Sequence, residues 1–237
     1  MRIQTVAETG STNDDMMARA RSGEGEGLWL RAERQNSGRG RQGRSWDSVT
    51  GNLFASTLVR LGEGDPPPAS LALVASLALY DAVAAFLPED EHVSLLLKWP
   101  NDLMLEGGKL SGILLEREGN AVVIGIGVNL ARHPEGLDRP VTSLAVHGMP
   151  PAPDIFLREL AERFADWLAK WREPGLGAIR DQWLSRAHPP GSALTVHDPT
   201  GRKLEGMFDG IDADGALRLR LADGSVHVMH AGDVFLV

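Results

Sequence analysis

Gln35-Asn36-Ser37-Gly38-Arg39-Gly40-Arg41-Gln42-Gly43-Arg44-Ser45-Trp46 holds three glycines and three arginines without one acid, between two apolar runs, 28–33 and 53–60, that read as strands. Glycine lets a backbone take positive φ and come close to a ligand, and each guanidinium presents a planar fork of donors that matches phosphate or carboxylate oxygens. The closing Trp46 adds a flat face for a ring. An anion-binding loop between two strands is the reading this pattern favours; an RNA-binding Arg/Gly tract and a solvated basic loop compete with it.

Outward from the loop, Ser11-Thr12-Asn13 followed by Asp14 and Asp15 reads as a helix N-terminus with a side-chain cap, and Arg19, Arg21 and Gly23 mark its end. Residues 69–87 are almost wholly apolar, but Ser76, Tyr80 and Asp81 interrupt them and prolines flank them, so a buried core helix is expected rather than a membrane span. The runs 95–99, 112–116 and 121–128 read as central strands buried on both faces. Asp154 is expected to cap a helix reaching Trp171, whose Phe156, Leu160, Phe164, Trp167, Leu168 and Trp171 recur at helical spacing and form core. After His188-Pro189-Pro190-Gly191 the texture changes to short alternating strands, 193–196, 203–208, 216–221, 226–229 and 234–237, separated by Asp/Gly turns. This pattern predicts an α+β catalytic domain over residues 1–187 with a mixed sheet, then a small β-barrel over 188–237.

Composition narrows the chemistry. A net charge of -8 disfavours bulk nucleic-acid binding, and the absence of cysteine removes disulfides, thiolate metal sites and a thiol nucleophile. The seven histidines show no metal-ligand spacing, so no metal site is assigned. No apolar core of a signal peptide follows Met1, and a cytoplasmic protein without membrane attachment is expected. Of the 24 basic residues only Lys98, Lys109, Lys170 and Lys203 are lysines, and the first two stand close to Trp99-Pro100-Asn101-Asp102 and Gly107-Gly108. A lysine kept among so many arginines fits a need for a compact ammonium that meets one oxygen. Gly125-Ile126-Gly127 lacks the third glycine of a dinucleotide fingerprint, because Leu130 stands there, and no P-loop is present. If ATP binds, it binds through the Arg/Gly loop.

Taken together, Ser11-Thr12-Asn13, Glu33-Arg34-Gln35 leading into the Gly38-to-Trp46 loop, Lys98-Trp99-Pro100-Asn101-Asp102, Lys109-Leu110-Ser111-Gly112-Ile113-Leu114, Gly125-Ile126-Gly127-Val128-Asn129 and Thr142-Ser143-Leu144 resemble the biotin protein ligases. The terminal strands look like that family's SH3-like module. The resemblance implies two half-reactions: biotin and ATP give biotinyl-5′-AMP and pyrophosphate, and a lysine of a biotin carboxyl carrier domain then takes the biotin and releases AMP. ATP and biotin would be substrates, with Mg2+ required and nothing permanently bound.

By the same resemblance Lys98, Arg39 and Arg41 would be catalytic. Ser11, Thr12, Asn13, Gln35, Gly38, Arg39, Gly40, Arg41, Lys98, Gly112, Gly125 and Gly127 would hold biotin. The nucleotide would meet Arg39, Arg41, Arg44, Trp46, Lys98, Asn101, Lys109 and Asn129. Some members carry an N-terminal helix-turn-helix domain; Ser11 comes so early that the ligase-only form is expected, with a carrier domain as partner, no nucleic acid and often a homodimer. A lipoate-protein ligase and a non-catalytic biotin-binding or regulatory protein are the alternatives. Biotin-dependent ATP–pyrophosphate exchange separates them.

Overall fold

The computed structural model describes residues 1–173, 176–198 and 200–236; Pro199, in an expected turn, and Val237, in the expected last strand, lie outside them. In chain order the first part runs β1 (Arg2–Thr9), α1 (Thr12–Arg21), β2 (Leu28–Gln35), β3 (Leu53–Arg60), α2 (Leu71–Ala84), β4 (Leu95–Lys98), β5 (Asp102–Leu105), β6 (Gly108–Glu118) and β7 (Ala121–Val128). Three helices follow, α3 (Leu144–His147), α4 (Pro153–Arg172) and α5 (Gly177–Leu184). The last part is β8 (Ala193–His197), β9 (Lys203–Ile211), β10 (Leu217–Arg220), β11 (Val226–Met229) and β12 (Asp233–Leu236).

Seven strands form one mixed sheet in the order β1-β2-β3-β7-β6-β5-β4, in which only β1 and β2 pair in parallel. Side chains alternate across a strand, so each strand splits between two faces. On β2, Leu28 and Leu30 join Met16 and Ala20 of α1, whereas Trp29 turns to the opposite face and meets Phe164 of α4 edge-on at 5.5 Å. On β7, Ala121 and Val123 lie under α1, and Val122, Ile124, Ile126 and Val128 join α2 and α4 in the main core. Burial on both faces is why β7 carries no polar side chain and why β2 is apolar in its first three residues.

Helix α2 is buried on nearly all sides, and each fully buried Leu or Val in it contributes about 1.5–3 kcal/mol relative to exposure. Two of its polar interruptions meet indoles: Trp183 Nε1 donates to Ser76 Oγ at 3.2 Å and Trp167 Nε1 to Asp81 at 2.7 Å. The second sheet is antiparallel, ordered β11-β10-β9-β8-β12. Trp99 Nε1 donates to the Gly215 carbonyl at 3.0 Å and ties it to the first.

Four elements have no counterpart in the sequence expectations, among them the four-residue helix α3. β1 has both faces largely exposed and no period of two to reveal it. β5 begins at Asp102, inside what reads as a turn, because the chain reverses between Lys98 and Asp102 and pairs them directly. α5 is only eight residues long. Two expected caps also differ. Ala152 precedes α4 and Asp154 stands in its first turn, while Ser11 occupies the N-cap of α1 without a side-chain capping bond.

Candidate functional site

Cross-strand register assembles the dispersed motifs into one row. Lys98 pairs with Asp102, Asp102 with Gly112, Gly112 with Gly127, and Gly127 with Phe54. Directly paired residues share a face, so two adjacent glycines make a trough between Asp102 and Phe54. The next row on this face pairs Leu114, Gly125 and Ser56. Beyond the apolar cover of α1 the sheet is therefore hollow, and a cavity of about 230 Å3 opens there.

At one end the wall is polar and uncharged. Gln35 Oε1 accepts from the Thr12 backbone N–H at 2.8 Å and from the Thr12 hydroxyl at 3.1 Å, and Gln35 N–H donates to Ser48 Oγ at 2.7 Å. The Ser56 hydroxyl donates to Asn13 Oδ1 at 2.6 Å, and Asn13 Nδ2 donates to Glu116 at 2.8 Å. Ser11, Thr12 and Asn13 are all buried, so the helix start is fixed against the sheet.

At the other end the wall is cationic. Lys98, Lys109, Arg39, Arg41, Arg44 and Arg139 line the cavity against two carboxylates, Asp102 and Asp233. Such an excess within a chain of net charge -8 makes the cavity a place for anions. Burial pushes the Lys98 ammonium below the ordinary lysine value; Asp102 and Asp233 oppose this, while Lys109 and Arg139 add to it. Its Nζ lies 5.9 Å from the centre of the Phe235 ring. Arg41 donates to Asn101 Oδ1 at 3.1 Å and to the Gly232 carbonyl at 3.2 Å, and burial lowers its pKa too. Lys109 pairs with Asp102 at 2.5 Å. Arg39 pairs with Asp14 and with Glu116, and Arg44 with Asp233.

The glycines do make room on this face, and in the structure the protein's own side chains take it. A Cβ on Gly127 would stand 2.5 Å from Trp46 Cε2, one on Gly112 3.0 Å from Trp46 Cζ3, and one on Gly125 would collide with Asn13. Trp46 Nε1 is buried and has no hydrogen-bond partner among the described residues. Of the residues expected at the site, Gly38 and Asn129 do not line the cavity. Gly38 sits under the Trp46 backbone, and Asn129 Nδ2 donates to the Thr142 carbonyl at 3.0 Å.

Sequence reasoning missed Arg139, Asp233, Val234 and Phe235 in the wall. The last three come from β12 and carry no local signal, since only the docking of the second sheet brings them here. Among the described residues no group of three or more His, Cys, Asp or Glu side chains could hold a metal, and Asp102 is already paired with Lys109.

The biotin/lipoate A/B protein ligase family model matches residues 9–129, from the start of the polar wall to the end of β7, and the biotin protein ligase C-terminal domain model matches residues 191–237. The chain belongs to the biotin/lipoate A/B protein ligase family. Among its relatives are the biotin–[acetyl-CoA-carboxylase] ligase of Paracoccus denitrificans, 41% identical over 97% of this chain and 98% of that one, and that of Mycobacterium tuberculosis, 39% identical over 98% and 88%. The structure is similar to that of the Aquifex aeolicus biotin protein ligase in complex with biotin and ATP, with a TM-score of 0.85, 25% identity, and coverage of 100% of this chain and 98% of that one. Family membership thus rests on the strands that build the trough as well as on the second sheet.

Proposed function

We propose that this chain is an ATP-dependent biotin protein ligase that forms biotinyl-5′-AMP and transfers biotin to a specific lysine of a biotin carboxyl carrier domain of a biotin-dependent carboxylase. The observation that carries this reading is a single cavity with a neutral polar end at Thr12 and Gln35 and a cationic end at Lys98, Arg39 and Arg41. A ureido ring needs donors and acceptors without charge, and a carboxylate meeting a triphosphate needs cations.

In the first step a biotin carboxylate oxygen attacks the α-phosphorus and the bond to the β-phosphate oxygen breaks, so pyrophosphate leaves with the electron pair. Two anions must be brought together, and Lys98, Arg39 and Arg41 reduce their repulsion and stabilise charge developing on the phosphoryl oxygens. In the second step the neutral carrier amine attacks the anhydride carbonyl carbon; the carbon–oxygen bond to AMP breaks, and the amine proton passes to solvent. Lys98 is then placed to stabilise the tetrahedral oxyanion. No nucleophile from the protein is needed.

Ser11, Thr12, Asn13, Gln35, Gly112, Gly125 and Gly127 serve biotin in this reading, and Arg44, Trp46, Asn101 and Lys109 serve the nucleotide. Magnesium enters with ATP as part of that substrate, since the ion keeps waters and bridges phosphates rather than needing a protein cage. The boundary between catalytic domain and SH3-like module falls between residues 187 and 188, a division supported by the Pro189-Pro190 break ahead of β8. Among the described residues no helix is long and apolar enough to cross a membrane, in keeping with a cytoplasmic enzyme. A homodimer formed through the central sheet is part of the same reading.

Pyrophosphate exchange tests the function. Purified protein with MgATP should exchange label when biotin is present and transfer it to a carrier domain. Exchange with lipoate and none with biotin would reassign the substrate, and no exchange with either would make it a binding protein.

A further inference from the structure

Glu116 of β6 stands outside the cavity wall, yet its carboxylate meets groups from both ends of the site. Register puts it on the cavity face: Glu116 pairs with Val123 and Val123 with Leu58, the row after Leu114, Gly125 and Ser56. Its Oε2 accepts from Asn13 Nδ2 at 2.8 Å, and its Oε1 faces the Arg39 guanidinium at 3.5 Å. Asn13 reaches this far because Gly125 has no side chain, and a Cβ there would collide with the Asn13 amide. The other end of that amide, Oδ1, accepts from the Ser56 hydroxyl at 2.6 Å, and Ser56 Oγ lies 2.8 Å from Thr12 Oγ1, which donates to Gln35. A continuous run of polar contacts thus joins Gln35 at the neutral end to Arg39 at the cationic end, and Glu116 is its link to the loop.

A carboxylate beside an arginine that must meet a phosphate offsets part of the charge wanted there, so charge alone gives no reason for Glu116. We propose that Glu116 is a positioning residue for Arg39: one carboxylate holds the Asn13 amide in the biotin wall and seats the Arg39 guanidinium beside it, so a single side chain sets the spacing between the two ends of the cavity. The inference rests on the reading of Arg39 as a cation for the reacting carboxylate and phosphate. The other acceptor of Arg39, Asp14, has a side chain 56% exposed, whereas that of Glu116 is 29% exposed and already held by Asn13, which makes Glu116 the firmer anchor. Only an ionised carboxylate gives Asn13 an acceptor and the guanidinium a charge; an amide in its place keeps the first contact and loses the second.

The test uses the full chain and three readouts: biotin affinity without ATP, single-turnover adenylation at saturating biotin and MgATP, and trypsin cleavage after Arg39 in the apo protein. Glu116→Gln should leave the Kd for biotin unchanged, lower the adenylation rate about tenfold, the size of one hydrogen bond to a charged group, and speed cleavage after Arg39. Glu116→Ala loses both contacts and should weaken biotin binding as well. Asp14→Asn removes only the more exposed partner and should change adenylation little. If Glu116→Ala does not fold, Glu116→Gln, which keeps the shape and the Asn13 contact, decides alone. A folded Glu116→Gln with the wild-type rate or with wild-type cleavage overturns the proposal, as does an Asp14→Asn variant as slow as Glu116→Gln. Wild-type protein that fails to adenylate biotin would sink the reading of the site instead, and cleavage after Arg39 in the apo protein would still decide whether Glu116 seats the loop.

Discussion

Lys98 is an ammonium half withdrawn from water, and its two nearby carboxylates do not undo the effect of burial because Lys109 and Arg139 act with it. Losing one positioned charge of this kind commonly costs about a hundred- to a thousandfold in rate, so Lys98→Ala should cut single-turnover adenylation by that much. Stability should move the other way. A lysine whose folded pKa lies below its unfolded value lowers stability at neutral pH, and the penalty is relieved as pH rises from the folded value to the unfolded one. Lys98→Ala should therefore melt no lower than wild type at pH 7. A lowered melting temperature together with the lost activity would mean that the residue holds the fold. Gly127 gives a second expectation. Gly127→Ala puts a methyl 2.5 Å from Trp46 Cε2, whereas Gly10→Ala meets nothing within 4 Å. The first should eject the indole, red-shift tryptophan emission and weaken adenylation; the second should do neither. Identical emission from Gly127→Ala and wild type would show that the trough is not closed by Trp46.

The Arg/Gly loop looks from its sequence like a run of mutually repelling arginines without buried contacts, and hence like a mobile segment. In the structure each arginine has an acceptor, and Trp46 packs on the glycines. Yet the Arg39–Asp14 pair is about half exposed and the Arg44 side of the Arg44–Asp233 pair is too, and exposed pairs contribute roughly 0–1 kcal/mol each, too little to hold twelve residues on their own. Trypsin should cut after Arg39, Arg41 or Arg44, and biotin with ATP should slow that cutting more than biotin alone, because an adenylate adds buried contacts. Equal rates with saturating ligand would remove the loop as the closing element. The same loop shows what a sequence discloses. β3 and β7 match the expected ranges 53–60 and 121–128 because burial on both faces writes a mostly apolar run between turns, with only Ser56, Thr57 and Arg60 polar in β3. The row Lys98, Asp102, Gly112 and Gly127 was readable only as separate motifs, since β5 hides behind Pro100-Asn101 and register is a tertiary fact. Asp14 and Asp233, which answer Arg39 and Arg44, look like an ordinary helix first turn and an ordinary barrel residue.

Among the described residues, polar ties across the seam between the first part of the chain and the second sheet include the Trp99–Gly215, Arg41–Gly232 and Arg180–Ile211 hydrogen bonds and the Arg44–Asp233 pair, with His188 packed on Phe208 between them. That seam gives the fold an acid-sensitive point. Burial, with the charge of Lys98, gives His188 a folded pKa of about 4 against an ordinary 6.5, so above 6.5 neither folded nor unfolded chain carries its proton and the full stability is present. As pH falls below 6.5 the unfolded chain takes up the proton and the folded chain does not, and stability declines until about pH 4, where the folded ring also protonates. The total loss is about 3 kcal/mol, taking 1.36 kcal/mol for each unit of pKa difference. Carboxylates of the second sheet and its turns, Asp198, Glu205, Asp209 and Asp223, also have lowered pKa values, held down mainly by hydrogen bonds from their neighbours, but their contribution persists until pH falls to the carboxylate range. The window from pH 6.5 to about 5 thus belongs mainly to His188 among these groups. Urea midpoints should fall over that window in the wild-type chain and stay nearly level in His188→Phe. Parallel declines in the two chains would place the acid-sensitive group elsewhere and leave His188 as packing alone.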